Sequence, residues 1–190
     1  MKHEIRTPQI EIRAKEEEPG KKIIFGYAAK YNSPTFIRDI WGEQFLEEIT
    51  PGAFSDSLEN NIRALYNHQS GLILGTTKAN TLKLFDDEIG LRFELELPNT
   101  STGKDLYESV KRGDIEGNSF GFTVKEDRWT KIENEGEEIL KRSLLKVNLI
   151  EISPTPFPAY SDTEISCRDK ISQDKNALKI KKLKIELDTF

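Results

Sequence analysis

Few side chains in this 190-residue chain can do chemistry, because it holds two histidines and one cysteine. His68 follows Leu65-Tyr66-Asn67 and precedes Gln69-Ser70-Gly71. A histidine at a strand end beside a turn can act as a general base, or be an ordinary loop side chain. Ser119 stands in Gly117-Asn118-Ser119-Phe120-Gly121-Phe122, where two glycines bracket a serine at the start of an apolar strand. Glycine lets a ligand approach the backbone, and N–H groups near such a serine could hold an oxyanion. The same pattern also describes a turn entering a strand. The spacing is not that of the nucleophile elbow G-x-S-x-G. Glu151 sits inside the apolar run Leu149-Ile150-Glu151-Ile152. It must face solvent or be paired inside the core. Bonded to His68, it would hold the ring and support the imidazolium.

The remaining candidates are weaker. His3 lies near the start of the sequence and reads as incidental. Cys167 has no base nearby and reads the same way. One cysteine excludes an intramolecular disulfide framework and a cysteine-rich zinc site. Asp86-Asp87-Glu88 looks like a solvated turn rather than a metal site. There is no P-loop and no dinucleotide fingerprint, so no metal and no cofactor is expected.

Composition narrows the classes further. Lys and Arg total 28 against 33 Asp and Glu, for a net charge of −5. An acidic balance argues against a protein held on nucleic acid by bulk charge. No stretch approaches the roughly 20 apolar residues that span a bilayer. No apolar run follows the charges at the start, so no secretory signal is expected. A single-domain, soluble, intracellular protein is the expectation.

The positioning elements read as β-rich. Residues 4–14 and 22–29 alternate around a charged turn and predict a hairpin, with Pro8 marking an edge strand. Thr50-Pro51-Gly52 predicts the start of a short helix to about Glu59. Ile62 to Asn67 predicts a strand, with 68–71 as a loop. Residues 82–85 and 91–97 form the clearest hairpin pattern. A helix is expected from a Ser101 or Thr102 cap to about Arg112, stopped by Gly113. Strands follow at 119–128 and 140–152, with an acidic loop between them. Three prolines between Pro154 and Pro158 should end the sheet. About eight short antiparallel strands and two helices predict a small, mostly antiparallel β-barrel with flanking helices, a β-rich α+β fold. The domain should span 1–165, followed by a basic tail over 166–190.

Several of these segments, in this order, resemble the prohead (procapsid maturation) proteases of tailed phages. They are Phe25-Gly26-Tyr27-Ala28, Glu48-Ile49-Thr50-Pro51-Gly52-Ala53-Phe54, Leu65-Tyr66-Asn67-His68, Gly117 to Phe122, and Leu149 to Pro154 running into Pro158-Ala159-Tyr160. That family is similar in fold and mechanism to the herpesvirus assembly protease. The resemblance implies a serine endopeptidase with Ser119 as nucleophile and His68 as general base. The herpesvirus relatives use a second histidine as third member, but no histidine follows His68 here. Glu151 falls at a comparable place after the serine and is the candidate, with Asp114, Glu116 and Glu126 as rivals. The implied partner is the major capsid protein precursor with its scaffolding segment. Family members also often cut themselves, and self-association is open. The implied location is the assembling prohead in the host cytoplasm, without nucleic acid or membrane as partner. The implied tail is a targeting or autoprocessed segment. The competing readings are a catalytically silent structural protein on the same barrel and an assembly chaperone that binds the capsid protein.

Overall fold

Alternation in the last third of the chain builds its longest hairpin. In the computed structural model, residues 3–8, 11–18, 20–38, 42–134 and 136–156 are described. Strand β10 (Gly117–Asn134) pairs antiparallel with β11 (Glu137–Thr155) along their whole length. The acidic stretch expected as a loop is the hairpin's tip, with Glu133 opposite Glu138 and Gly136 at φ 84°. A left-handed φ suits glycine, which has no Cβ to clash.

The other strands, in chain order, are β1 (His3–Arg6), β2 (Ile12–Glu18), β3 (Lys21–Lys30), β4 (Thr35–Arg38) and β5 (Gln44–Ile49). They continue with β6 (Arg63–Tyr66), β7 (Gln69–Thr76), β8 (Leu82–Asp86) and β9 (Gly90–Glu96). One sheet runs β1-β10-β11-β5-β4, with β6 on the far end of β11 and β7 on β6. The second runs β2-β3-β9-β8. A single apolar cluster joins the two. Ile24, Leu91, Phe93 and Leu95 come from the second sheet, and Phe120, Phe122, Leu144, Val147, Leu149 and Ile152 from the first. Helix α1 (Ser101–Arg112) adds buried Leu106, Tyr107 and Val110, spaced to share one face. Among the described residues, no helix is long and apolar enough to cross a membrane.

The fold is β-rich, as expected, but four local expectations change. First, residues 3–6 leave the expected hairpin. They pair with β10, and only β2 pairs with β3. Second, the helix expected over 51–59 is a single 3-10 turn at Ser55–Ser57. Gly52 takes φ 80°, and the Thr50 hydroxyl donates to the Leu144 carbonyl instead of capping a helix. α1 is therefore the one α-helix among the described residues, capped by Thr100 and stopped by Gly113 at φ 83°. Third, pairing is not all antiparallel. β11 runs parallel to β5 at Lys141–Leu144 and parallel to β6 at Glu151–Ile152. Fourth, 69–71 are not loop but the start of β7, and β11 continues through Pro154 to Thr155. Pro158-Ala159-Tyr160, Cys167, the expected domain end at 165 and the basic tail 166–190 lie outside the described residues.

Candidate active site

The turn that carries His68 is a two-residue hairpin. Tyr66 pairs with Gln69, so Asn67 and His68 alone connect β6 to β7. Both take left-handed φ, 47° and 60°, as a two-residue hairpin of the I′ kind requires. Histidine there is strained by roughly 1–2 kcal/mol relative to a right-handed residue. Hydrogen bonds to the end of β11 hold it in place. The Asn67 N–H donates to the Pro154 carbonyl at 3.1 Å, and the His68 N–H donates to Ser153 Oγ at 3.1 Å. Thr155 Oγ1 donates to Asn67 Oδ1 at 3.0 Å.

That anchoring sets the ring over Glu151. His68 Nδ1 lies 2.8 Å from Glu151 Oε1. Ser153 Oγ donates to the other carboxylate oxygen at 2.5 Å. The Glu151 side chain is 5% exposed, so it is the paired interior carboxylate rather than a solvent-facing one. A carboxylate only accepts hydrogen bonds, so across this contact the carboxylate form of Glu151 pairs with a His68 that carries a proton on Nδ1. Nε2 is then left with a lone pair, the tautomer a general base needs.

Ser119 stands directly opposite Ser153 in the β10–β11 ladder, and Gly121 opposite Glu151. Directly opposed residues share a sheet face, so Ser119, Ser153, Glu151 and the bare backbone of Gly121 lie on one face. Ser119 is fully buried. Its hydroxyl donates to the Arg6 carbonyl at 2.8 Å and accepts from Thr7 Oγ1 at 2.9 Å. Among the described residues, no hydrogen bond joins it to His68. The structure thus brings His68 and Glu151 into contact and sets Ser119 on the same face, with its hydroxyl engaged by the N-terminal segment.

The rival carboxylates are elsewhere. Asp114 pairs with Arg112 at 3.2 Å, and Glu126 lies 3.8 Å from Lys146. Glu116 is exposed beside Gly113. His3, read as incidental, is in β1, with Nε2 2.5 Å from where a Cβ on Gly121 would stand. Among the described residues, no group of three or more His, Cys, Asp or Glu could hold a metal ion.

Three features escaped the sequence. Ser153 is two residues from Glu151 and shares its face by the period of a strand, which is the signal that could have found it. Thr7 and Arg6 reach Ser119 only through the pairing of β1. A buried ion cluster then fixes β1. Arg6 donates twice to Glu47, at 2.5 and 2.9 Å, and Arg142 bonds Glu47, Glu4 and Asp127. Burial would raise the Glu4 carboxyl, but the Arg6 and Arg142 guanidinium groups outweigh it and hold it below its ordinary value. The contribution of Glu4 to this cluster is therefore complete above the ordinary carboxyl range. It is lost as pH falls through the lowered value.

Gly121 gives a direct test of the packing. A Cβ there would stand 2.6 Å from Glu151 Oε1, a side chain already pinned by His68 and Ser153. Gly121→Ala should displace the carboxylate from the ring. We expect a stability loss of about 1–3 kcal/mol. If the pair serves the peptidase that the resemblance implies, cleavage should slow by roughly 100-fold, as for a group moved by about 1 Å from its working position. Thermal melting and kcat measured on the same preparation check both values.

Comparison with known proteins places the chain in a family. Residues 8–177 match the model of the caudovirus prohead serine protease family. The chain is 32% identical over 158 residues to the prohead protease of Enterobacteria phage HK97, covering 80% of this chain and 63% of that protein. It therefore spans about 63% of that relative's length. No solved structure matches. The chain belongs to the caudovirus prohead serine protease family.

Proposed function

We propose that this protein is a serine endopeptidase in which His68 and Glu151 activate Ser119. The observation that carries the reading is the His68 Nδ1–Glu151 contact of 2.8 Å on the face that holds Ser119. Nε2 of His68 takes the Ser119 proton as Oγ attacks a peptide carbonyl. Backbone N–H groups around Ser119 stabilise the oxyanion. Glu151, itself held by the Ser153 hydroxyl, stabilises the imidazolium. His68 then protonates the leaving amine, and water releases the acyl group.

The substrate in this reading is the scaffolding segment of the major capsid protein, cut inside the assembling prohead in the host cytoplasm. The chain itself is a second substrate, and its tail from residue 166 is a targeting or autoprocessed segment. Support comes from the family match and from the HK97 relative, a prohead protease. A barrel of the herpesvirus assembly protease type is part of the same proposal. Its support is the order His, Ser, third member along the chain.

One observation favours a second reading, a structural protein without activity: the Ser119 hydroxyl is engaged by Arg6 and Thr7 rather than by His68. Co-expression with the capsid precursor separates the two, with intact masses taken from assembled proheads. A peptidase yields a precursor shortened at defined bonds, and a serine-directed fluorophosphonate stops the shortening. A full-length precursor in mature-sized shells would establish the structural reading.

A further inference from the structure

The contacts on Ser119 carry a further consequence, which rests on its assignment as the nucleophile. β1 is the edge strand beside β10, and residues His3–Arg6 pair antiparallel with Phe120–Thr123. An extended peptide added to a sheet edge pairs in this way. The Ser119 hydroxyl donates to the Arg6 carbonyl, and Thr7 Oγ1 donates to Ser119 Oγ. Ser119 has no exposed surface while β1 is in place. The N–H groups of β10 that face β1 are consumed by the same pairing and cannot serve a substrate oxyanion.

Charge shows what the strand imitates. The buried cluster holds Glu4, Glu47 and Asp127 against Arg6 and Arg142, a net charge of −1. Departure of β1 removes Glu4 and Arg6 together, so the remaining Glu47, Asp127 and Arg142 still sum to −1. Glu47, 5% exposed, would then lose both hydrogen bonds from Arg6. Arg142 alone would still bond it, at 3.0 Å, leaving Oε1 without its Arg6 donor, and a carboxylate oxygen stripped of its donor is unfavourable. A strand bearing Arg or Lys in the same place restores the pairing. β1 also lies ahead of residues 8–177, the stretch that carries the family match.

We propose that β1 is a built-in pseudo-substrate, that the β10 edge beneath it is the substrate cleft, and that Glu47 selects a substrate strand with a basic side chain where Arg6 sits. The site opens only when β1 leaves.

The test places a site-specific protease sequence at residues 9–10 of the full chain and cuts it after folding. Phosphonylation of Ser119 by a fluorophosphonate is followed by intact mass and peptide mapping before and after β1 is washed away. Labelling should rise at least tenfold on removal. A synthetic peptide of residues 1–8 should suppress it again, and the same peptide with Arg6→Glu should suppress it at least tenfold less well. Arg6→Ala in the otherwise unaltered chain gives an independent reading, since weakened docking should also speed labelling. Equal labelling of Ser119 with and without β1 would overturn this proposal and leave the nucleophile in place. Labelling at a different residue in every form would overturn both.

Discussion

Ser119→Ala should leave a folded protein that no longer cuts. Its hydroxyl bonds one carbonyl and one threonine at the start of β10, while the apolar core beneath rests on Phe120 and Phe122. Loss of those two hydrogen bonds lowers stability by about 1–2 kcal/mol. Loss of the nucleophile is far larger. Without an oxygen to form the acyl-enzyme, cleavage should fall by at least about a thousandfold. The check is the rate of precursor shortening beside a circular dichroism melt. A variant that melts within a few degrees of wild type and cuts at more than a tenth of its rate would remove Ser119 from the mechanism.

Glu151→Gln is the second large effect, and it acts through His68. The amide keeps the shape of the carboxylate, so the site remains filled. Two properties change. The amide carries no charge to stabilise the imidazolium, and its N–H₂ can donate where the carboxylate could only accept. His68 Nδ1 can then face a donor and surrender its proton to Nε2, the atom that must receive the proton of Ser119. A wrong tautomer at such a histidine slows turnover by about 10⁴-fold in a serine protease triad. We expect kcat to fall by roughly 10³–10⁴-fold, with KM changed little, because Glu151 touches the ring and not the substrate. Nitrogen NMR of His68 reads the cause directly. Wild type should show the proton on Nδ1 and the variant a shift toward Nε2. A large loss of kcat with the tautomer unchanged would assign Glu151 a different role.

Much of this was legible in the residues. The alternation of residues 82–97 predicts β8 and β9 nearly to the residue, and Gly113 stops α1 as expected. The residues alone left His68, Ser119 and Glu151 each with an ordinary reading beside the chemical one, and it is the resemblance to the prohead proteases that set them in one order. Alternation shows which face a residue takes but not which strand lies beside it. Residues 3–6 alternate as β2 does, yet they pair with β10, more than a hundred residues away. The partnership is decided by Arg6 reaching Glu47, which Arg142 also bonds, three residues spread over 136 positions of chain (142 − 6). Thr50-Pro51-Gly52 carries good helix-start residues, but Gly52 at φ 80° and the bond from Thr50 to Leu144 turn the chain away. In each case a tertiary contact outweighed a local preference.

These corrections matter for function because they surround the site. The pairing of β1 covers Ser119. The parallel contact of β6 with β11 at Glu151–Ile152 brings the His68 turn to the carboxylate. The extension of β11 through Pro154 supplies the carbonyl that anchors Asn67. A hairpin formed only by β6 and β7, without β11 beside it, would hold His68 but give it no acid partner.

The most direct measurement of the central claim is the position of a covalent adduct formed while the precursor is being cut. Proheads in the act of maturation are treated with a fluorophosphonate, and the protease is digested and mapped by mass. One phosphonyl group is expected, on the peptide that contains Ser119, appearing in step with the loss of cleavage and absent from His68→Ala. An adduct on Ser153 or another serine, or cleavage that continues after Ser119 is fully modified, would contradict the claim.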